Sequence, residues 1–187
     1  MALFAEGILK SHWDQTIPVN LAHIAKGMGV AVVLRNSLDA TALLEILHDN
    51  RPRLTLDPGQ ASMRQRCAAA HALGHVALHH LRPGMQRRID LSDDYRIDHN
   101  QRHNSEANDF ALQLLIPTPA LHFALGQMQA RDLAELGHLF EVPPLLIKQR
   151  LADLNLDIHT PLAQQSLTLG AVRAKRDARG SNAQHGT

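Results

Sequence analysis

Cysteine is almost missing from this chain: Cys67 is the only one in 187 residues, so no internal disulfide can staple the fold. Net charge is almost missing too. Nineteen Lys and Arg against 18 Asp and Glu leave +1, which gives no general electrostatic reason to expect nucleic acid or a membrane as the main partner. No apolar run approaches the roughly 20 residues needed to cross a bilayer, and the opening stretch MALFAEGILKSHWDQ has no apolar signal-peptide core. These absences lead to the expectation of a cytoplasmic protein. What is present is 44% hydrophobic and 20% charged residues, the composition of a globular protein with a real core.

Punctuation along the chain predicts a series of elements. MALFAEGILKSHW reads as a helix, and a second helix begins near Pro18 and stops at Gly27 or Gly29. GVAVVLR reads as a strand. ALLEILHDNRPRLTLDP predicts a hairpin with DNRP as its turn, although SLDATALLEIL also fits a helix. A long, mostly apolar helix follows from about Ala61 to Leu81. The segment from Arg82 to His103 is polar and poorly periodic, and a loop of that length in a compact domain is either functional or disordered. NSEANDFALQLLIP reads as a helix ending at Pro117, with Ala107, Phe110, Ala111, Leu114 and Leu115 at a 3.6 period. Helices over about Pro119 to Leu136 and Pro143 to Leu154 complete a single domain over residues 1–160. The Ala, Gln, Arg and Gly rich residues 161–187 are expected to form a mobile tail.

Histidine is abundant, at 13 residues. Roughly one His-x-x-x-His pair is expected by chance at that frequency; the chain has three, at His71/His75, His75/His79 and His99/His103. Only the first interrupts an apolar helix, CAAAHALGHVALHHL. Buried imidazoles need partners, and two of them at i and i+4 either bond to nearby carbonyls or share a metal ion. His79 lies about 12 Å along a straight helix from His71, too far to join it at one ion. His80 is expected to point to another face of that helix. Glu106 shares a helix face with Phe110, Gln113 and Leu114, so its carboxylate is expected on the core side. A metal bound by the neighbouring histidines would account for that placement. The plainer account is a carboxylate in the first helical turn, capped by Asn104 or Ser105.

Two motifs together carry a resemblance. Arg64, Arg66, Ala70, His71, Leu73, Gly74 and His75 match one pattern, and Glu106, Ala107, Asn108, Phe110, Ala111, Leu114, Leu115 and Pro117 match another. Both resemble the ImmA/IrrE family of metallo-endopeptidases, over about Pro18 to Leu156. The resemblance implies an α+β, zincin-like domain in which a small sheet packs on the metal-binding helix and helices follow at the C-terminal end. It implies zinc as cofactor, with Mn2+ or Fe2+ as alternatives by ligand type, held by His71, His75 and Glu106. It further implies a helix-turn-helix transcriptional repressor as the protein substrate. Cys67, Ala68 and Ile116 depart from the family's Phe, Thr and Met as modest packing or capping changes. Ala72 departs more seriously, because it stands where the family's H-E-x-x-H motif has its general-base glutamate. Zinc lowers the pKa of a bound water toward about 7, and the glutamate takes that water's proton and delivers it to the leaving amine. Alanine does neither, so the implied reading is an endopeptidase that has kept its metal ligands and lost its activity.

Tyr95, His99 and His103 are candidates for oxyanion or substrate contacts if the polar segment folds over the metal, against the plain reading of solvated loop residues. Arg64 and Arg66 are expected either to pair with carboxylates near the metal or to solvate the helix start. Two other functions fit the sequence. DLAELGHLFEVPPLLIKQRLADL reads as a helix-turn-helix, with Arg173, Lys175, Arg176 and Arg179 available for phosphate contacts. Its second helix carries Leu145, Leu146, Ile147 and Leu151, which suits packing better than groove reading. A non-catalytic module that sequesters a repressor is the remaining alternative.

Overall fold

The computed structural model describes residues 2–91, 102–127, 130 and 132–158. The expected tail at 161–187, together with Tyr95 and His99, lies outside the described residues. Within them the order is α1 (Ala2–His12), α2 (Leu21–Gly27), β1 (Ala31–Leu34), β2 (Ala42–Ile46), β3 (Pro52–Leu56), α3 (Ser62–Ala77), β4 (Gln86–Ile89), α4 (Arg102–Leu115), α5 (Thr118–Gly126), α6 (Leu133–Phe140) and α7 (Pro144–Leu154). This is an α+β fold with a small mixed sheet, as expected of a zincin-like domain. No helix is long and apolar enough to cross a membrane, among the described residues.

The sheet runs β1-β3-β2-β4. β2 and β3 form the expected hairpin, with Ile46 opposite Pro52 and Ala42 opposite Leu56. Its turn is Leu47 to Arg51, closed by Leu47 N–H donating to the Arg51 carbonyl and by Asn50 at φ 66°. Proline therefore begins the strand and leaves the turn, a position where its missing N–H is tolerated. β1 pairs parallel to β3 at one edge, and all four of its residues are exposed.

β4 pairs antiparallel to β2 at the other edge, within the segment expected to be a polar loop. Its sequence, QRRI, has one buried residue, Ile89. An edge strand facing solvent on most of its surface carries no alternating apolar signature, so the hydrophobic pattern could not reveal it.

α3 is the central element. Every residue from Cys67 to His75 is buried, as a helix that is apolar all round must be. It packs on α4 and against β2 and β3. Gly74 sets the spacing: a Cβ there would lie 3.1 Å from the Ala107 Cα, the Ala107 carbonyl oxygen and Phe110 Cδ1. Glycine at 74 and alanine at 107 thus let the α3 and α4 backbones meet closely. Arg66 lies 3.9 Å from the Glu141 carboxylate, away from the histidines, and both arginines also bond to main-chain carbonyls. Arg64 Nη2 donates to the Leu91 carbonyl at 2.6 Å and Arg66 Nη2 to the Val19 carbonyl at 2.8 Å, so both tie the first turns of α3 to flanking chain.

Two more expectations shift. The helix foreseen over Pro119 to Leu136 is two, α5 and α6, the second capped by Asp132, whose carboxylate accepts from Ala134 and Glu135 N–H. α4 begins at Arg102, so Asn104 and Ser105 lie inside its first turn instead of capping it. In α7, Leu146, Ile147, Arg150 and Leu151 are buried. Arg150 is held there by the Ile116 carbonyl and the Thr118 hydroxyl.

Candidate metal centre

α3 carries His71 and His75 at i and i+4, one turn apart on one face. Their Nε2 atoms point at each other across 2.9 Å. Both rings are sealed, 1% and 0% exposed. Burial pushes His71 down to about 4 and His75 to about 2, so both are neutral at physiological pH, the form in which imidazole ligates a metal.

The end of α3 brings in a third histidine. His79 adopts the left-handed conformation at φ 53°, His79 N–H donates to the Val76 carbonyl, and His80 N–H reaches back to the His75 carbonyl at 3.0 Å. This is the left-handed helix stop usually made by glycine. It folds His80 back beside His75, so that His80 Nδ1 lies 2.9 Å from His75 Nδ1 and His80 Nε2 lies 3.1 Å from Glu106 Oε2. The expectation that His80 points to another face fails because α3 ends at Ala77. A helix stop built on histidine instead of glycine leaves no mark in the sequence.

Glu106 is on the core-facing side of α4, half-buried, as expected. Its Oε1 accepts from Arg102 Nε at 2.8 Å, one turn back, and the Arg102 guanidinium, with His80 beside it, holds the carboxyl below the usual range. The carboxylate is turned toward His80 and His103; the ligand-type atoms of these three residues all lie within 4.8 Å of one another. His103 is exposed and stacks on His80 with ring centroids 4.2 Å apart. Asn108, one turn from Asn104 on α4, places its Oδ1 2.9 Å from His71 Nδ1. Arg87 of β4 donates to Asn104 Oδ1 at 2.7 Å and adds positive potential that disfavours protonation of His71, His75 and His80. Cys67, buried beside this group, has its thiol pushed up to about 12 by burial and offers no thiolate.

Proton counting tests whether these residues fit a cation. The contacts Asn108 to His71, His71 to His75, His75 to His80 and His80 to Glu106 are four, while three neutral imidazoles carry one N–H each. The Asn108 oxygen takes the proton of His71 Nδ1. The Glu106 carboxylate takes that of His80 Nε2, and His80 Nδ1 then accepts from His75 Nδ1. His71 Nε2 and His75 Nε2 are left as two lone pairs facing each other, an arrangement that a divalent cation satisfies. The outer bonds are those that fix a metal-ligating histidine's tautomer and aim its ring. Ala72, on the next residue round the helix, is 0% exposed and joins the hydrophobic core.

His71 and His75 face each other, whereas Glu106 meets His80 and His103 instead of the pair, with His80 interposed between the pair and the carboxylate. Comparison with curated proteins gives no match. The family profile described as an IrrE N-terminal-like domain, of the M78 peptidases, matches residues 25–152, which take in all of β1 to α6 and the candidate metal centre. The chain belongs to this metallopeptidase family.

Proposed function

We propose that this chain binds one divalent ion, zinc by preference, through His71, His75 and Glu106, and recognises a helix-turn-helix repressor that it cleaves very slowly or not at all. The single observation that carries the reading is the 2.9 Å approach of His71 Nε2 to His75 Nε2, with their rings contacted from behind by Asn108 and His80. To join His71 and His75, the Glu106 side chain would have to leave His80, which stands between it and the pair. A bound zinc would supply a water acidified toward neutral pH. The chain's own residues supply what is around it: His71 and His75 remain unprotonated, Arg102 keeps Glu106 ionised, and the sealed helix pair excludes bulk water from one side.

What the chain lacks is a proton acceptor at position 72. A methyl group there cannot take the water's proton or pass it to a leaving amine, and loss of such a group costs about 10² to 10⁴ in rate. Substrate would enter along β4. This is an edge strand with a neighbour only on the β2 side among the described residues, so an extended peptide segment can add to its open side through main-chain hydrogen bonds. Direct DNA reading by α6 and α7 is disfavoured by the burial of Leu146, Ile147, Arg150 and Leu151, since a recognition helix needs its side chains in the groove.

The test is a gel time course of the native chain and Ala72→Glu with zinc and the cognate repressor. Chelator-sensitive cleavage is expected from Ala72→Glu, at least about 100-fold faster than from the native chain. Equal rates from the two contradict the general-base assignment. If neither cuts a repressor that binds, the sequestering reading replaces the enzymatic one.

A further inference from the structure

His71 and His75 are 1% and 0% exposed, so an ion that reaches them must first pass groups nearer the surface. Those groups are graded in depth. His103 is exposed, the Glu106 side chain is 17% and the His80 side chain 5% exposed, and the inner pair is buried. His103 and Glu106 sit at i and i+3 on α4, on one face, and the left-handed stop at His79 turns His80 toward the same point. Their three ligand-type atoms lie within 4.8 Å of one another, a span that rotation of the exposed His103 ring can close onto one ion.

We infer that His80, His103 and Glu106 form an outer station where a divalent cation of the zinc type is captured before it passes to His71 and His75. Two imidazoles and one carboxylate suit zinc better than calcium or magnesium. Arg102 engages Glu106 Oε1 and leaves Oε2 toward the histidines, so the outer station does not require that ion pair to break. With an ion there, His80 would ligate through Nε2 and carry its proton on Nδ1, donating to His75 Nδ1, while His75 Nε2–H donates to His71 Nε2; passage inward reverses those two shifts. Glu106 belongs to both stations, and its rotation away from His80 is the step that would carry an ion inward. The inference rests on the proposed inner site for its destination but not for the outer ligands themselves.

The experiment mixes metal-free full-length chain with zinc in a stopped-flow instrument and follows residual zinc with a fluorescent chelator. His103→Ala, at an exposed position, is expected to slow uptake about tenfold or more while the final stoichiometry stays that of the native chain. Uptake at the native rate overturns the proposal. In a second arm, His71→Ala should still bind zinc weakly, and the double variant His71→Ala/His103→Ala should bind none. No binding by a folded His71→Ala, or equal binding by single and double variants, overturns the outer station. If His71→Ala binds zinc as tightly as the native chain and the double variant does not, the outer station stands and the inner site falls. Should His71→Ala fail to fold, the uptake rate of His103→Ala decides alone.

Discussion

Gly74 and Ala107 touch backbone to backbone: a Cβ on Gly74 would lie 3.1 Å from both the Ala107 Cα and its carbonyl oxygen. Neither atom belongs to a flexible side chain, so the α3 and α4 helices themselves would have to move apart. Gly74→Ala is expected to destabilise the fold by about 1 to 3 kcal/mol, as overpacking does, despite alanine's better helix propensity. Because the same contact sets Glu106 against the histidines, zinc affinity should fall as well. Urea denaturation of both chains reads the first effect and zinc titration the second. An unchanged or raised midpoint would show that the close approach is not required.

In the proposed site Asn108 would act on the metal through His71. Its Oδ1 holds His71 Nδ1–H at 2.9 Å and so keeps the Nε2 lone pair facing His75. Asn108→Ala removes the acceptor without removing a ligand, and is expected to weaken zinc about 10- to 100-fold, the usual effect of losing such a bond. Competition titration against a chelator of known affinity measures it. Unchanged affinity would mean that the ring is oriented by packing alone.

Acid should destabilise the metal-free protein earlier than its carboxylates would. An unfolded histidine protonates near 6.5, whereas folding holds His71 at about 4 and His75 at about 2, chiefly by burial. The unfolded chain therefore binds more protons below pH 6.5, so this stability is fully present above that pH and is lost as pH falls through 6 and 5. The expected loss is on the order of 2 kcal/mol per histidine by pH 5. Denaturation curves in chelator at pH 7.5 and 5 check it, and equal stabilities would contradict the neutral, sealed pair.

Much of this was readable from residue order, for identifiable reasons. That His71 and His75 share a face follows from helical spacing alone, i and i+4, and the face of Glu106 follows from the apolar stripe of its helix. The β2 and β3 hairpin shows in its alternation and its Asp-Asn turn. His80 was hidden because its position depends on a left-handed residue at His79, where no glycine signals it. β4 was hidden because only Ile89 of its four residues is buried. The break between α5 and α6 falls in a stretch whose apolar spacing continues across it, so periodicity joined what the chain separates. Glu106 was placed on the right face, but the company it keeps there, His80 and His103 more closely than the inner pair, is a matter of side-chain rotation that spacing does not determine.

The central claim is that His71 and His75 form the heart of a metal site although residue 72 is alanine. Zinc titration of untagged, metal-free chain by calorimetry, beside His75→Ala, tests it most directly. The account predicts one tight equivalent per native chain and a loss of affinity of about 100-fold or more in His75→Ala, leaving at most weak outer binding. Absence of a tight equivalent in the native chain, or undiminished affinity in His75→Ala, would contradict it.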